Sequence, residues 1–346
     1  SDGLKLVCVL GHHARVKINT KPVLGVCAVA LAATIGGCSA TGGAPRPSEE
    51  GELAGGVDTE RLVVAMVSHG APGDTYWDLV RKGAEDAARK DNIELRYSSD
   101  PEAPNQANLV QSAIDSGVDG IAVTMPNAGA IGPVAKKAAD AGIPTVGLNA
   151  GMDDYQKYGM RAFFGQEEKV AGTKAGERLK ADGAKHALCV IHEQGNSSQE
   201  ARCAGVKEGM DGGKVEILYV NGKDLTAAQS TINAKLAQDR SIDWVMALQA
   251  SVAMRSTDAV AEAGSDAQVS TFDTNAELVD AIADGTVQWA VDQQPYMQGY
   301  LAVDALWLAH RNGSTLGGGR PVYTGPSFVD STNVDIISES AKEGLR

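Results

Sequence analysis

The strongest constraint on this chain is that it nearly repeats itself. The segment GVDGIAVTMP at residues 117–126 is answered by SIDWVMALQA at 241–250, and TVGLNAG at 145–151 by VSTFDTN at 269–275. In that register Met125 falls opposite Gln249 and Asn149 opposite Asp273, each at an offset of 124 residues. The apolar run Leu62–Val67 is matched by Ala187–His192, and the short run Glu94–Tyr97 by Val215–Val220. A nearly constant offset over four segments in chain order implies a duplicated architecture.

Within each copy, strand and helix patterns alternate. Leu62–Val67 is uninterruptedly apolar, as a strand buried on both faces must be. A Gly/Pro loop follows, then a helical stripe of Trp77, Val80, Ala84, Ala87 and Ala88. A second helix carries Leu109, Val110, Ala113 and Ile114. Gly120–Thr124 reads as a strand and Ala130–Ala141 as a helix, which Gly142-Ile143-Pro144 ends before the strand Thr145–Leu148. Such alternation builds βαβ units on a parallel sheet. The expected fold is therefore α/β: two similar doubly wound, Rossmann-like domains in tandem, each of roughly 120 residues. A chain of 346 residues is long enough for two cores.

Two such sheets facing one another leave a cleft, and open α/β sheets bind ligands outside the carboxyl ends of their strands. The loops 68–77, 124–127, 149–151, 193–202, 249–251 and 273–275 should then carry function. They hold Asp74, Tyr76, Trp77, Asn149, Arg202, Gln249 and Asp273, with His69, Asn127 and Glu193 as further candidates. Amide, carboxylate and guanidinium groups suit vicinal hydroxyls, each of which both donates and accepts. Tyr76 and Trp77 offer aromatic faces to the C–H side of a sugar, although Trp77 also belongs to the apolar stripe. Asp74 or Thr75 fits the helix N-cap. A buried Arg202 needs a carboxylate beside it, and Asp273 or Asp74 is expected to supply it. That balance favours a neutral solute.

The formal charge of −13 argues against a nucleic-acid partner, which needs clustered Lys and Arg. Arg15, Lys17 and Lys21 precede an apolar run from Val23 to Ile35, the order of a secretory signal over residues 1–37. Ile35-Gly36-Gly37-Cys38 resembles a bacterial lipobox with Cys38 as the lipidated residue; an ordinary cleaved signal and a short buried helix are the alternatives. Residues 38–60 then read as anchor and flexible tether. These features imply an extracytoplasmic lipoprotein on the outer face of the cytoplasmic membrane. In the folded part only Cys189 and Cys203 remain, one in a strand pattern and one in the helix pattern after it, and a disulfide between them is expected, with two buried thiols as the alternative.

An enzyme on this fold would show G-x-S-x-G, HExxH, a Walker loop or a strand-linked GxGxxG, and the chain has none of them. No cofactor or metal is expected. His69 and His192 with Asp74 or Glu193 could ligate a metal, but hydrogen bonding to ligand or loop backbone is the preferred reading. A sugar-responsive repressor would need a helix-turn-helix where residues 1–60 place a signal and tether.

The stretches APGDTYWDLVRKGAEDAA, PNQANLVQSAIDSGVDGIAV, AGIPTVGLNAG, EARCAGVKEGM, STFDTNAELVDAI and AVDQQPYMQGYLAVDAL carry a resemblance to the ribose-binding-like branch of type I periplasmic binding proteins, from Arg61 to about Ser338. The resemblance implies a monomeric solute-binding protein of an ABC importer that closes on a small neutral monosaccharide or sugar alcohol and presents the closed form to a permease. A ligand-presenting subunit of a membrane receptor kinase and a binder of a different small polar solute are the alternatives. It implies sugar contacts at Tyr76, Trp77, Arg202 and Asp273, and at Gln293 in a hinge. It also implies three crossings between lobes, near 164–166, 292–294 and 325–328, so that 61–164 with 293–325 form one lobe and 165–292 with 326–346 the other. The family's Asp-Arg after the fourth strand is replaced here by Asn149-Ala150. That departure points away from ribose, toward another sugar or a sugar alcohol such as a tetritol or pentitol.

Overall fold

The computed structural model describes residues 57–346. The signal segment, Cys38 and most of the tether lie outside the described residues. From Leu62 the chain runs β1 (Leu62–Ser68), α1 (Thr75–Lys90), β2 (Ile93–Ser99), α2 (Ala103–Asp115), β3 (Gly120–Val123), α3 (Ala128–Asp140), β4 (Thr145–Leu148) and β5 (Phe163–Gly165). The second copy follows as α4 (Glu168–Ala181), β6 (His186–Ile191), α5 (Ser197–Gly209), β7 (Lys214–Tyr219), α6 (Leu225–Gln238), β8 (Trp244–Ala247), α7 (Ala250–Ala263), β9 (Gln268–Phe272), α8 (Ala276–Ala283) and β10 (Trp289–Asp292). Last come α9 (Pro295–Asn312), β11 (Pro321–Tyr323), β12 (Ser327–Asp330) and α10 (Val334–Lys342).

The strands form two six-stranded sheets of the same order, β2-β1-β3-β4-β5-β11 and β7-β6-β8-β9-β10-β12. The repeat thus extends to a fifth strand. The copies differ at the last position, where β11 runs parallel to β5 but β12 runs antiparallel to β10. Central strands β3, β4, β6 and β8 are buried along their whole length, as their continuous apolar runs require. Each sheet is covered on both faces. In the first, α1 and α9 pack on one side and α2 and α3 on the other; in the second, α4 and α5 face α6, α7, α8 and α10 across the strands. The chain passes between the sheets after β5, after β10 and between β11 and β12.

Helices α4 and α5 approach unusually closely because both present glycine. A Cβ on Gly172 would lie 2.1 Å from the Arg202 carbonyl oxygen, and one on Gly209 would lie 2.1 Å from that of Thr173. The equivalent pair in the first lobe, α1 and α9, meets through Gly83 and Gly299 in the same way. Close backbone approach here decides where the buried side chains of α4 and α5 meet. Cys189 on β6 is bonded to Cys203 on α5, with their Cα atoms 5.9 Å apart, so strand and helix are joined covalently beneath the cleft.

Candidate functional site

Between the carboxyl ends of the two sheets lies a narrow polar cavity of about 30 Å³ that adjoins the outer cleft. Its walls include Asp74, Tyr76, Trp77, Asn149, Arg202, Gln249, Asp273 and Gln293, and also His69 and Glu193. Asn127 does not reach it. Its side chain accepts from Ala130 N and caps α3, and the residue borders only the outer cleft. A loop Asn placed one residue ahead of a helix satisfies an orphan amide first.

The duplicated register has a backbone counterpart. Asn149 and Asp273 both adopt left-handed conformations, with φ of 62° and 66°. Their amides donate to equivalent carbonyls one strand over, Phe164 and Val291. Left-handed backbone is costly for most residues and tolerated best by Asn and Asp. Each lobe uses it to end a central strand and hold a polar residue at the cavity.

These two residues belong to one hydrogen-bonded chain. Asn149 Nδ2 donates to Tyr76 Oη at 2.7 Å, and Tyr76 Oη donates to Gln298 Oε1 at 3.2 Å. Gln298 Nε2 donates to Gln293 Oε1 at 3.1 Å, and Gln293 Nε2 to Asp273 Oδ1 at 2.7 Å. Gln293, at the second crossing, therefore ties the two copies together. Burial pushes the Asp273 carboxyl up to about 7, against the opposing pull of Arg202 and Gln293. Burial likewise raises Tyr76 well above its usual range, so its hydroxyl stays protonated.

Arg202 is held elsewhere than expected. Its Nε and Nη2 donate to Glu168 Oε2 and Oε1 at 2.6 and 2.9 Å, its Nη1 donates to the Leu248 carbonyl at 3.3 Å, and its plane lies 4.7 Å over the Phe272 ring. Glu168, not Asp273 or Asp74, is thus the compensating carboxylate. It opens α4, and the glycine contact with α5 brings it against Arg202. Burial works against the Arg202 charge, but Glu168 more than offsets it and holds the guanidinium firmly protonated. The paired charges leave the guanidinium little net charge to present to the cavity.

Asp74 does two things. Its Oδ1 accepts from Tyr76 N, capping α1, and its Oδ2 accepts from Gln249 Nε2 at 2.8 Å, joining the two sides of the cleft. Burial raises its carboxyl to about 6, opposed by those two donors. Beside it, His69 Nδ1 lies 2.7 Å from Thr124 Oγ1, and its ring meets Trp77 edge-on at 4.6 Å. His69 Nε2 faces Asn196 Nδ2 at 3.5 Å and Glu193 Oε2 at 3.7 Å on the opposite lobe. Burial lowers His69, so the ring is neutral at pH 7.

Sequence reasoning missed Glu168, Asn196, Ser198, Gln199, Leu248 and Gln298, and underweighted His192. Gln199 Oε1 accepts from the backbone amides of His192 and Glu193, which turns its Nε2 toward His192 Nε2 at 3.0 Å. His192 is thereby fixed as an acceptor at that nitrogen, and burial pushes it down to about 4. The spacing Asn196–Gln199 at a helix start was the one local signal available. Among the described residues, the His, Asp and Glu side chains near enough together to hold a metal are His186, Glu216 and Asp239. They lie at the other end of β6, where Lys214 and Lys235 already pair with the carboxylates.

Twin lobes of equal strand order, enclosing a polar cavity at their strand ends, define a cleft-type solute-binding protein. Residues 64–313 match the family model described as a periplasmic binding protein domain, and the chain belongs to that family, whose members bind and deliver solutes rather than transform them. It is 49% identical, with a TM-score of 0.82, to a carbohydrate transporter from Acidothermus cellulolyticus 11B in complex with myo-inositol, covering 83% of this chain and 100% of that one. It is 25% identical, with a TM-score of 0.70, to a periplasmic sugar-binding protein of an ABC sugar transporter from Legionella pneumophila, covering 76% and 99%. Among curated proteins it is 25% identical over 260 residues to the xylose/arabinose-binding protein XylF of Sulfolobus acidocaldarius. That match covers 70% of this chain and 64% of the relative, a little under two thirds of its length.

Proposed function

We propose that this chain is the extracytoplasmic solute-binding component of an ABC importer and that it captures a neutral polyol or monosaccharide, with a six-carbon cyclitol as the first choice. The observation that carries the reading is the charge arrangement of the cavity. Arg202 is neutralised by Glu168, Asp273 is braced by Gln293, and the rest of the polar wall is amides and neutral imidazoles together with the carboxylates of Asp74 and Glu193, each held by an amide donor, Gln249 and Asn196. A charged ligand would upset that balance, whereas a ring of hydroxyls can donate to Asp273 and Asp74 and accept from Asn149, Gln249 and Arg202. The cyclitol preference draws on the neighbour carrying myo-inositol; the loss of the family's Asp-Arg at Asn149-Ala150 fits a solute other than ribose.

In this reading Asp74, Tyr76, Trp77, Asn149, Arg202, Gln249, Asp273 and Gln293 touch the solute, with His69 and Glu193 at its edge. Residues 61–164 with 293–325, and 165–292 with 326–346, move as two bodies about the three crossings. Closure assembles contacts drawn from both bodies, and solute shifts the open–closed balance by its differential affinity. Cys38 carries a lipid that, with the tether, keeps the monomer beside its permease.

The test is a thermal-shift and calorimetric panel of myo-inositol, other cyclitols, linear pentitols and hexitols, aldoses, amino acids and nucleosides. Specific binding raises the midpoint by mass action. A polyhydroxylated compound is expected to give saturable binding and the largest shift. Shifts by amino acids or nucleosides alone would overturn the ligand class.

A further inference from the structure

Helix α10, which carries the last segment of the described chain, is anchored in the second lobe through Val334, Ile337 and Ala341, which share a core with α8. Beyond that helix the chain leaves the lobe. Lys82 on α1 donates to the Glu343 carbonyl at 2.5 Å, and Gly344 turns the chain with φ of 71°. Arg346 then reaches the second crossing, where Nη2 donates to Asp292 Oδ2 at 2.5 Å and Nη1 to Gln294 Oε1 at 3.2 Å.

Those two residues flank Gln293, the cavity residue that links Asp273 to Asn149 and Gln298. Asp292 is fully buried, and its other oxygen accepts from Gln294 N. Gln294 sits in left-handed backbone at φ 56° and donates to the Thr324 carbonyl at the third crossing. A strained non-glycine residue persists only where its surroundings over-determine it. Arg346 supplies part of that determination from outside the cavity.

We propose that Arg346 is a positioning residue for solute capture. Its forked contact holds the Asp292–Gln294 crossing in the geometry that aims Gln293 into the cavity. Arg is suited to the task because one planar group serves two acceptors, which an ammonium cannot do as well. This rests on the solute-binding reading above.

The experiment compares wild type, Arg346→Gln and Arg346→Lys in the full chain. Affinity for the best polyol of the panel is read by calorimetry, stability by melting, and amide hydrogen exchange over 290–298 without solute. Arg346→Gln is expected to speed exchange over 290–298 and to weaken affinity about tenfold, as the binding-competent fraction falls. Arg346→Lys keeps a charge near Asp292 and so keeps most of the melting temperature, yet loses the second arm and still binds more weakly. Affinity within twofold of wild type in both variants would overturn the proposal. So would affinity that merely follows melting temperature, the sign of a structural role. If wild type binds no polyhydroxylated compound, the functional reading fails, and unchanged exchange over 290–298 in Arg346→Gln then refutes the positioning role separately.

Discussion

Replacing Glu168 by Gln removes the charge that balances Arg202 while keeping the side chain's shape. Arg202 is 5% exposed and Glu168 7%, and the pair makes two charge-assisted hydrogen bonds at 2.6 and 2.9 Å. In the variant one of those bonds sets an amide N–H against a guanidinium N–H. Breaking a buried pair from one side typically costs about 3–5 kcal/mol, because the remaining charge stays desolvated. At roughly 2–4 °C per kcal/mol for a chain of this size class, melting should fall by about 10 °C. Arg202 keeps the Gln carbonyl oxygen, the Leu248 carbonyl and the Phe272 face but has no partner for its charge, so the guanidinium should turn toward Asp273. Polyol affinity is then expected to fall by about tenfold or more, since each 1.4 kcal/mol is a factor of ten. The assay is scanning calorimetry of the solute-free protein followed by titration. A variant that melts within about 2 °C of wild type and binds equally well would refute the claim that Glu168 holds Arg202 in place.

Two further outcomes follow from the same geometry. Asp273 has a folded-state value near 7 and an ordinary one of 3.8, so the folded protein binds the extra proton. Its contribution to stability is fully present below pH 4 and is lost as pH rises through 7, a change on the order of 4 kcal/mol. Asp273→Asn should therefore stabilise the solute-free protein relative to wild type increasingly between pH 4 and 8 while weakening polyol binding at least tenfold; parallel pH–stability curves or unchanged affinity would count against the assignment. The Cys189–Cys203 bond closes a separation of 14 residues, and replacing both cysteines by serine should cost about 3 kcal/mol in denaturant unfolding. Equal midpoints for oxidised wild type and the variant would show that the bond adds nothing.

Much of the fold is legible in the chain because its signals are local. Short apolar runs bounded by turn signals read as strands buried on both faces, and a nearly constant offset near 124 residues implies a second sheet like the first. The strand-end rule then named the loops, and most of the cavity residues follow from it. Asn127 shows the limit of that rule: it stands in the right loop but caps α3, since the cap and the cavity compete for one side chain. Glu168 shows the opposite failure, because nothing in the sequence around it announces a partner 34 residues away.

The sequence by itself determined the duplicated α/β plan, the facing strand ends and the polar character of what they enclose, since hydrophobic periodicity and turn chemistry act over a few residues. Only the tertiary structure decided which groups pair: Arg202 with Glu168, Gln293 with Asp273, Asp74 with Gln249. Those choices depend on how closely glycine lets α4 approach α5 and on where the crossings bring the two lobes together, distances that no local pattern encodes.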